Sequence, residues 1–138
     1  MKNICIINGP NLNTLGLRQP EIYGHKTLEQ INQDLKTIFA KEANLTFYQS
    51  NHEGQIIDFI QSLKTDGLVI NPGALSHTSI SIRDALAALS IPIIEVHLSN
   101  IFRRESFRHH SLISEVSLGI ICGLKHTGYE LAIRALLI

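Results

Sequence analysis

Glu95, His97, Arg18 and Tyr23 are of the types, and stand at the spacings, that proton-transfer chemistry requires. Glu95 and His97 lie two apart in a run rich in Ile and Val, so on a strand they share a face. A carboxylate there holds an imidazole in one tautomer or favours its protonated form, which suits a general acid. The same pair also serves as an ordinary strand-end ion pair. Arg18 and Tyr23 fall in a stretch from Gly9 to Gly24 with no helical or strand period. A guanidinium beside a phenol favours the phenolate, whose ordinary pKa is near 10, and such a tyrosine could take a proton from carbon. The alternative is a surface tyrosine packed on its loop.

Around these stand residues suited to holding a small polar ligand. Asn11 and Asn71 read as donors or as turn formers. His77 precedes a segment of helical period, whose free backbone donors favour an anion or a hydroxyl-rich ligand. Arg103, Arg104 and Arg108 read as recognition of a carboxylate or hydroxyls, as a solvated basic face, or as a subunit contact. Asp84 is two helical turns beyond His77, too far to pair with it, and spacing alone makes it a solvated helix residue.

The elements that would position these groups alternate strand with helix. Strands are expected at residues 3–8, 45–50, 68–71, 93–97 and 118–122. Helices are expected from Thr27, with Gln30 completing a capping box, over Ile56 to Leu63, over 79–89, and from Thr127 with Glu130 to the C-terminus. The strands are continuously apolar, as in a parallel sheet covered on both faces. The expectation is an α/β fold, a flavodoxin-like doubly wound five-stranded parallel sheet, with residues 1–138 as a single domain. Ligands bind such sheets beyond the carboxyl ends of the strands, and there the polar and ionisable residues collect. The Gly9–Gly24 connection exceeds the usual length of about 2–6 residues and reads as an active-site lid.

Composition narrows the function. Hydrophobic residues are 44% and charged residues 17% of the chain, so it folds. Twelve basic side chains balance twelve acidic ones, which argues against nucleic acid or an anionic membrane as the partner. No signal peptide or spanning run of roughly 18 apolar residues is visible, and a cytoplasmic location is the expectation. Cys5 and Cys122 sit in apolar runs as core residues. No zinc spacing, no Gly-x-Ser-x-Gly elbow and no nucleotide loop is present, so neither metal nor cofactor is expected. A receiver domain would need an acidic cluster after the first strand, and a flavin module a hydroxyl-rich phosphate loop. Asn8-Gly9-Pro10 stands there instead.

Taken in order, Asn8-Gly9-Pro10-Asn11-Leu12-Asn13, Arg18-Gln19-Pro20-Glu21-Ile22-Tyr23-Gly24, Gln49-Ser50-Asn51-His52-Glu53-Gly54, Asn71-Pro72-Gly73, His77-Thr78-Ser79, Arg83-Asp84-Ala85, Glu95-Val96-His97-Leu98-Ser99-Asn100 and Phe107-Arg108-His109-His110-Ser111 resemble the type II 3-dehydroquinate dehydratases nearly end to end. The resemblance implies elimination of water from 3-dehydroquinate through an enolate, without metal or lysine adduct. It makes Tyr23 the base at C2, Arg18 the group that favours its phenolate, and Asn11 a holder of the enolate through a water. His97 becomes the acid for the C1 hydroxyl, with Glu95 supporting it. Asn71, His77, Arg108 and the backbone amides of Leu98 and Ser99 become substrate contacts, and Arg104 a basic residue near the lid. Asp84 becomes a residue that reaches into a neighbouring subunit's site, against its reading from spacing. The implied assembly is a homododecamer, a tetramer of trimers. Leu17, Leu75, Leu112 and Lys125-His126 depart from the family pattern. Lys125 is the one lysine placed to be checked as an imine former.

Overall fold

The protein is described by a computed structural model covering residues 1–138. Five parallel strands form one sheet in the order β2-β1-β3-β4-β5: β1 Lys2–Asn8, β2 Ala43–Gln49, β3 Gly67–Asn71, β4 Ile93–His97 and β5 Gly119–Cys122. The helices are α1 Pro20–Tyr23, α2 Leu28–Ile38, α3 Glu53–Ser62, α4 Ile80–Ala87 and α5 Thr127–Leu137. This is the expected doubly wound fold.

Strand alternation sorts the core into two layers. Ile4, Ile6, Val69, Ile94 and Val96 pack with Ile31, Leu35, Tyr129 and Ile133 of α2 and α5. Cys5, Ile7, Leu68, Ile70 and Ile93 pack with Ile56, Ile60, Ile82 and Leu86 of α3 and α4. Glu95 and His97 therefore share the second face with Ile93. The inner strands β1, β3 and β4 are buried along nearly their whole length, whereas β2 and β5 are half-exposed. The expectation of two covered faces thus fails at the edges, where a strand has one neighbour and its outer row meets solvent.

Helix starts follow the chemistry of their first residues. Thr27 and Gln30 form the expected reciprocal box, with Gln30 N–H donating to Thr27 Oγ1 (3.2 Å) and Thr27 N–H to Gln30 Oε1 (2.9 Å). Ser79 Oγ accepts the Ile82 N–H at 2.9 Å and starts α4. At α5 the expectation is corrected. Thr127 is already inside the helix, and His126 precedes it without a side-chain cap. Gly123 and Lys125, both at positive φ, make the turn that leads in, and this replaces a side-chain cap.

The loop after β1 is also more ordered than its sequence suggests. It carries a 3-10 turn at Leu12–Thr14 and the one-turn helix α1. One turn is too short for a 3.6-residue period to register in sequence. Leu12 and Leu15 anchor the loop in the core, while Leu17 is 85% exposed at its tip. Gly9 is required where this loop leaves the sheet, because a Cβ there would stand 2.4 Å from the Pro72 carbonyl oxygen. No helix is long and apolar enough to cross a membrane.

Candidate active site

A cleft of about 140 Å³ opens beyond the carboxyl ends of β1, β3 and β4. That volume suits one small ring and not a dinucleotide. Asn11, Arg18, Tyr23, Asn71, His77, His97, Leu98, Ser99, Arg104 and Arg108 all line it. Glu95 lies directly behind His97. Of the recognition candidates named from sequence, Arg103 and Asp84 do not line it. The exposed Asp84 carboxylate takes a bond from Arg83 at 3.2 Å, and it faces a separate groove between α3 and α4.

Glu95 has no solvent exposure, and His97 is 5% exposed. His97 Nε2 is hydrogen-bonded to Glu95 Oε2, which leaves Nδ1 as the nitrogen free for a ligand. The carboxylate also accepts Ser111 Oγ–H on Oε2 and Ser114 Oγ–H on Oε1, each at 2.7 Å. Burial pushes the Glu95 carboxyl up. The bonds from His97, Ser114 and Ser111, with the charge of His97, outweigh burial and hold the group below the usual carboxylate range.

His77 stacks beside His97, with ring centroids 6.1 Å apart. Its Nδ1 stands 2.9 Å from the His110 carbonyl. A carbonyl only accepts, so Nδ1 carries the proton. Burial lowers the His77 pKa, with the nearby His97 and Arg108 also pushing it down against the His110 bond. The ring is thus neutral near pH 7, with Nε2 as an acceptor for a ligand hydroxyl.

The loop after β1 brings Tyr23 to the same cleft. The Arg18 guanidinium lies over the Tyr23 ring, 4.8 Å from its centroid. Arg104 reaches the hydroxyl itself: its Nη1 donates to Tyr23 Oη at 2.9 Å and to Ser99 Oγ at 3.2 Å. The sequence placed Arg104 only near the lid; the fold makes it the direct partner of the phenol. Arg108 Nε is held by Glu105 at 2.7 Å, which orients the rest of its guanidinium for an anionic ligand. Asn11 sits in the left-handed conformation at φ 71°, which asparagine tolerates. Its N–H donates to Asn51 Oδ1 at 3.0 Å, so the end of β2 fixes the start of the lid.

Asn71 is held from beneath. Its Nδ2 donates to the buried Tyr129 hydroxyl at 2.9 Å, and its Oδ1 accepts Gly73 N–H at 3.1 Å. Tyr129 donates in turn to Asn8 Oδ1. Full burial pushes the Tyr129 pKa well up, so this phenol stays protonated, unlike the work expected of Tyr23. Tyr129→Phe strips Asn8 and Asn71 of a buried partner and is expected to cost about 2–4 kcal/mol. Urea unfolding checks this, together with a weakened substrate KM from a loosened Asn71.

No lysine lines the cleft. Lys125 is exposed, and its backbone N–H donates to the Leu98 carbonyl at 2.9 Å. Leu75 and Leu112 pack outside the cleft, where Leu75 joins the α3–α4 layer and Leu112 N–H bonds the Ser76 carbonyl. No group of three His, Cys, Asp or Glu residues is clustered as metal ligands are.

A sequence model of the family described as Dehydroquinase class II matches residues 2–137. The chain belongs to the class II dehydroquinases. It is accordingly a lyase of the 3-dehydroquinate dehydratase kind. It is 56% identical over 133 residues to a 3-dehydroquinate dehydratase of Francisella tularensis subsp. novicida, covering 95% of this chain and 91% of that protein. It is 52% identical over 138 residues to the one of Bordetella avium, covering 96% and 95%. The crystal structure of the type II dehydroquinase from Butyrivibrio crossotus superposes with a TM-score of 0.95 at 48% identity, over 98% of this chain and 97% of that one. The dehydroquinase core thus spans the whole sheet, and both rims of the cleft fall inside the matched region.

Proposed function

We propose that this class II dehydroquinase removes water from 3-dehydroquinate with Tyr23 as base and His97 as acid, giving 3-dehydroshikimate. The observation that carries the assignment is the placement of the phenol and the Glu95-backed imidazole on the same cleft. A proton beside a ketone is weakly acidic, so its removal requires a positioned base and stabilisation of the enolate. Tyr23 as phenolate takes the C2 proton, and the electron pair passes into the enolate. Arg104 and Arg18 flank the phenol and meet its negative charge. Asn11 holds the enolate oxygen through a water. The enolate then collapses, the C1–oxygen bond breaks, and His97 gives its proton to the departing hydroxyl. Asn71, His77, Arg108 and the amides of Leu98 and Ser99 hold the substrate, with Arg108 on its carboxylate.

The catalytic unit is residues 1–138 as one domain, working in the cytoplasm without cofactor, in the shikimate pathway or in quinate breakdown. Asp84 works in the site of an adjoining subunit, in a homododecamer built as a tetramer of trimers. Its exposed carboxylate, turned from its own cleft beside apolar Ile57, Ala85 and Leu89, supports this reading. Sedimentation of the purified protein is expected to give the mass of twelve chains.

The test mixes protein with 3-dehydroquinate and follows the ultraviolet absorbance of the conjugated enone. Enone formation unchanged by borohydride pretreatment in the presence of substrate is expected. Absence of enone from folded protein overturns the assignment, and loss to borohydride points to a lysine imine.

A further inference from the structure

The strap that follows the arginine segment contains two hydroxyls that no step above uses. Ser111 and Ser114 converge on opposite oxygens of Glu95 from 16 and 19 residues away. Ser111 Oγ also accepts the Ile113 N–H at 3.2 Å, which commits its single proton to Glu95. The strap itself is fixed: Ile113 is fully buried, Leu112 N–H bonds the Ser76 carbonyl at 2.8 Å, and Leu118 N–H bonds the Ile93 carbonyl at 2.7 Å. Two hydroxyls held this firmly against a carboxylate with no solvent contact act on where its proton resides.

Beyond His97 and the two serines, the surroundings offer Glu95 no donor. Its strand neighbours are Ile70 on β3 and Ile120 on β5. The α4 helix presents Ile82 and Leu86 to this layer, while its Arg83 and Asp84 pair with each other and Arg83 with Glu115 at the surface. Glu53 and Asp58 of α3 are exposed. His77 stacks beside His97, and Arg104, Arg108 and Tyr23 line the same cleft. A buried carboxylate without donors takes a proton. If Glu95 takes the one on His97 Nε2, the ring becomes a neutral imidazole, a far weaker acid at Nδ1.

We infer that Ser111 and Ser114 are positioning residues that keep Glu95 ionised, and so keep the shared proton on His97, the group read above as the acid. The inference rests on that reading of His97. The two serines do not touch substrate; they act through Glu95.

The test compares Ser111→Ala, Ser114→Ala, the double variant and the two Ser→Thr variants with the wild type. Each alanine is expected to lower kcat about tenfold and the pair about a hundredfold, as for a lost bond to a buried charge, with KM nearly unchanged. The basic limb of the kcat–pH profile is expected to move to higher pH, because the serine-free pair gives up its last proton less readily. Threonine restores both. An infrared band of a protonated carboxyl is expected in the double variant and disappears when Glu95→Gln is added. A folded double variant with wild-type kcat and limb overturns the inference, as does a lower kcat with an unmoved limb and no carboxyl band. If the double variant does not fold, the limbs and bands of the single variants decide in the same way. A His97→Ala variant with wild-type kcat would sink the acid reading instead, and the infrared band would still show whether the serines hold Glu95 ionised.

Discussion

Tyr23→Phe is expected to leave a folded enzyme whose kcat is lower by about 10³-fold, within the range a positioned acid or base contributes. The substitution removes one oxygen and nothing else. Tyr23 is half-buried and its ring packs beside the α2–α5 layer, so phenylalanine keeps that contact and the Arg18 face. What is lost is the acceptor for Arg104 Nη1 and the atom proposed to take the C2 proton. Stability should change by about 1 kcal/mol, the ordinary worth of one hydrogen bond. KM should stay close to the wild type, since Asn71, His77 and Arg108 keep their places. Stopped-flow enone formation gives kcat, and calorimetric titration with the substrate gives affinity. A variant within a few-fold of wild type would mean the base lies elsewhere. His97, on the same cleft, would then have to serve both steps. Loss of affinity with kcat intact would make Tyr23 a binding residue only.

The sequence made the scaffold readable because its signals are local. Apolar runs of strand length between amphipathic segments leave few folds open, and the Thr27–Gln30 box and the Ser79 cap are satisfied within three residues. The site was readable for a related reason. In a parallel sheet every strand delivers its C-terminal residue to one rim, so Asn8, Asn71 and His97 had to meet whatever their separation in the chain. What sequence could not place was pairing set by loops. Arg104 meets the Tyr23 hydroxyl across 81 residues, and no spacing rule links a basic residue after β4 to a phenol in the lid. The serines on Glu95 sit in a strap without regular period, and their role exists only because Ile113 is pinned in the core. The Tyr129 hydroxyl, 58 residues from Asn71, reads in sequence as one more core aromatic on α5. Spacing made Asp84 a solvated helix residue, and it is exposed on α4. It lies away from its own cleft, and a role in another chain's site would leave no mark in a single chain's spacing.

His97→Ala separates the two halves of the reaction. If Tyr23 cleaves the C2–H bond before the hydroxyl leaves, removing the acid blocks elimination but leaves proton abstraction intact. Enone formation by His97→Ala is then expected to fall about 10³-fold. In deuterated water the recovered 3-dehydroquinate is expected to carry deuterium at C2, gained faster than product forms. Tyr23→Phe is expected to do neither. The geometry favours this split. The phenol belongs to the lid and is held by Arg104, while His97 is anchored from behind by a carboxylate that is itself anchored by two serines. Neither group bonds the other, so loss of the imidazole leaves the Tyr23 contacts in place. Nuclear magnetic resonance of the C2 proton measures the exchange, and the enone absorbance measures the product. Exchange lost in step with elimination would mean that proton removal and hydroxyl departure are one event, with His97 acting while the C2–H bond breaks. Deuterium uptake at the wild-type turnover rate would instead show that the enolate is reached as readily as before and returns to substrate for want of an acid.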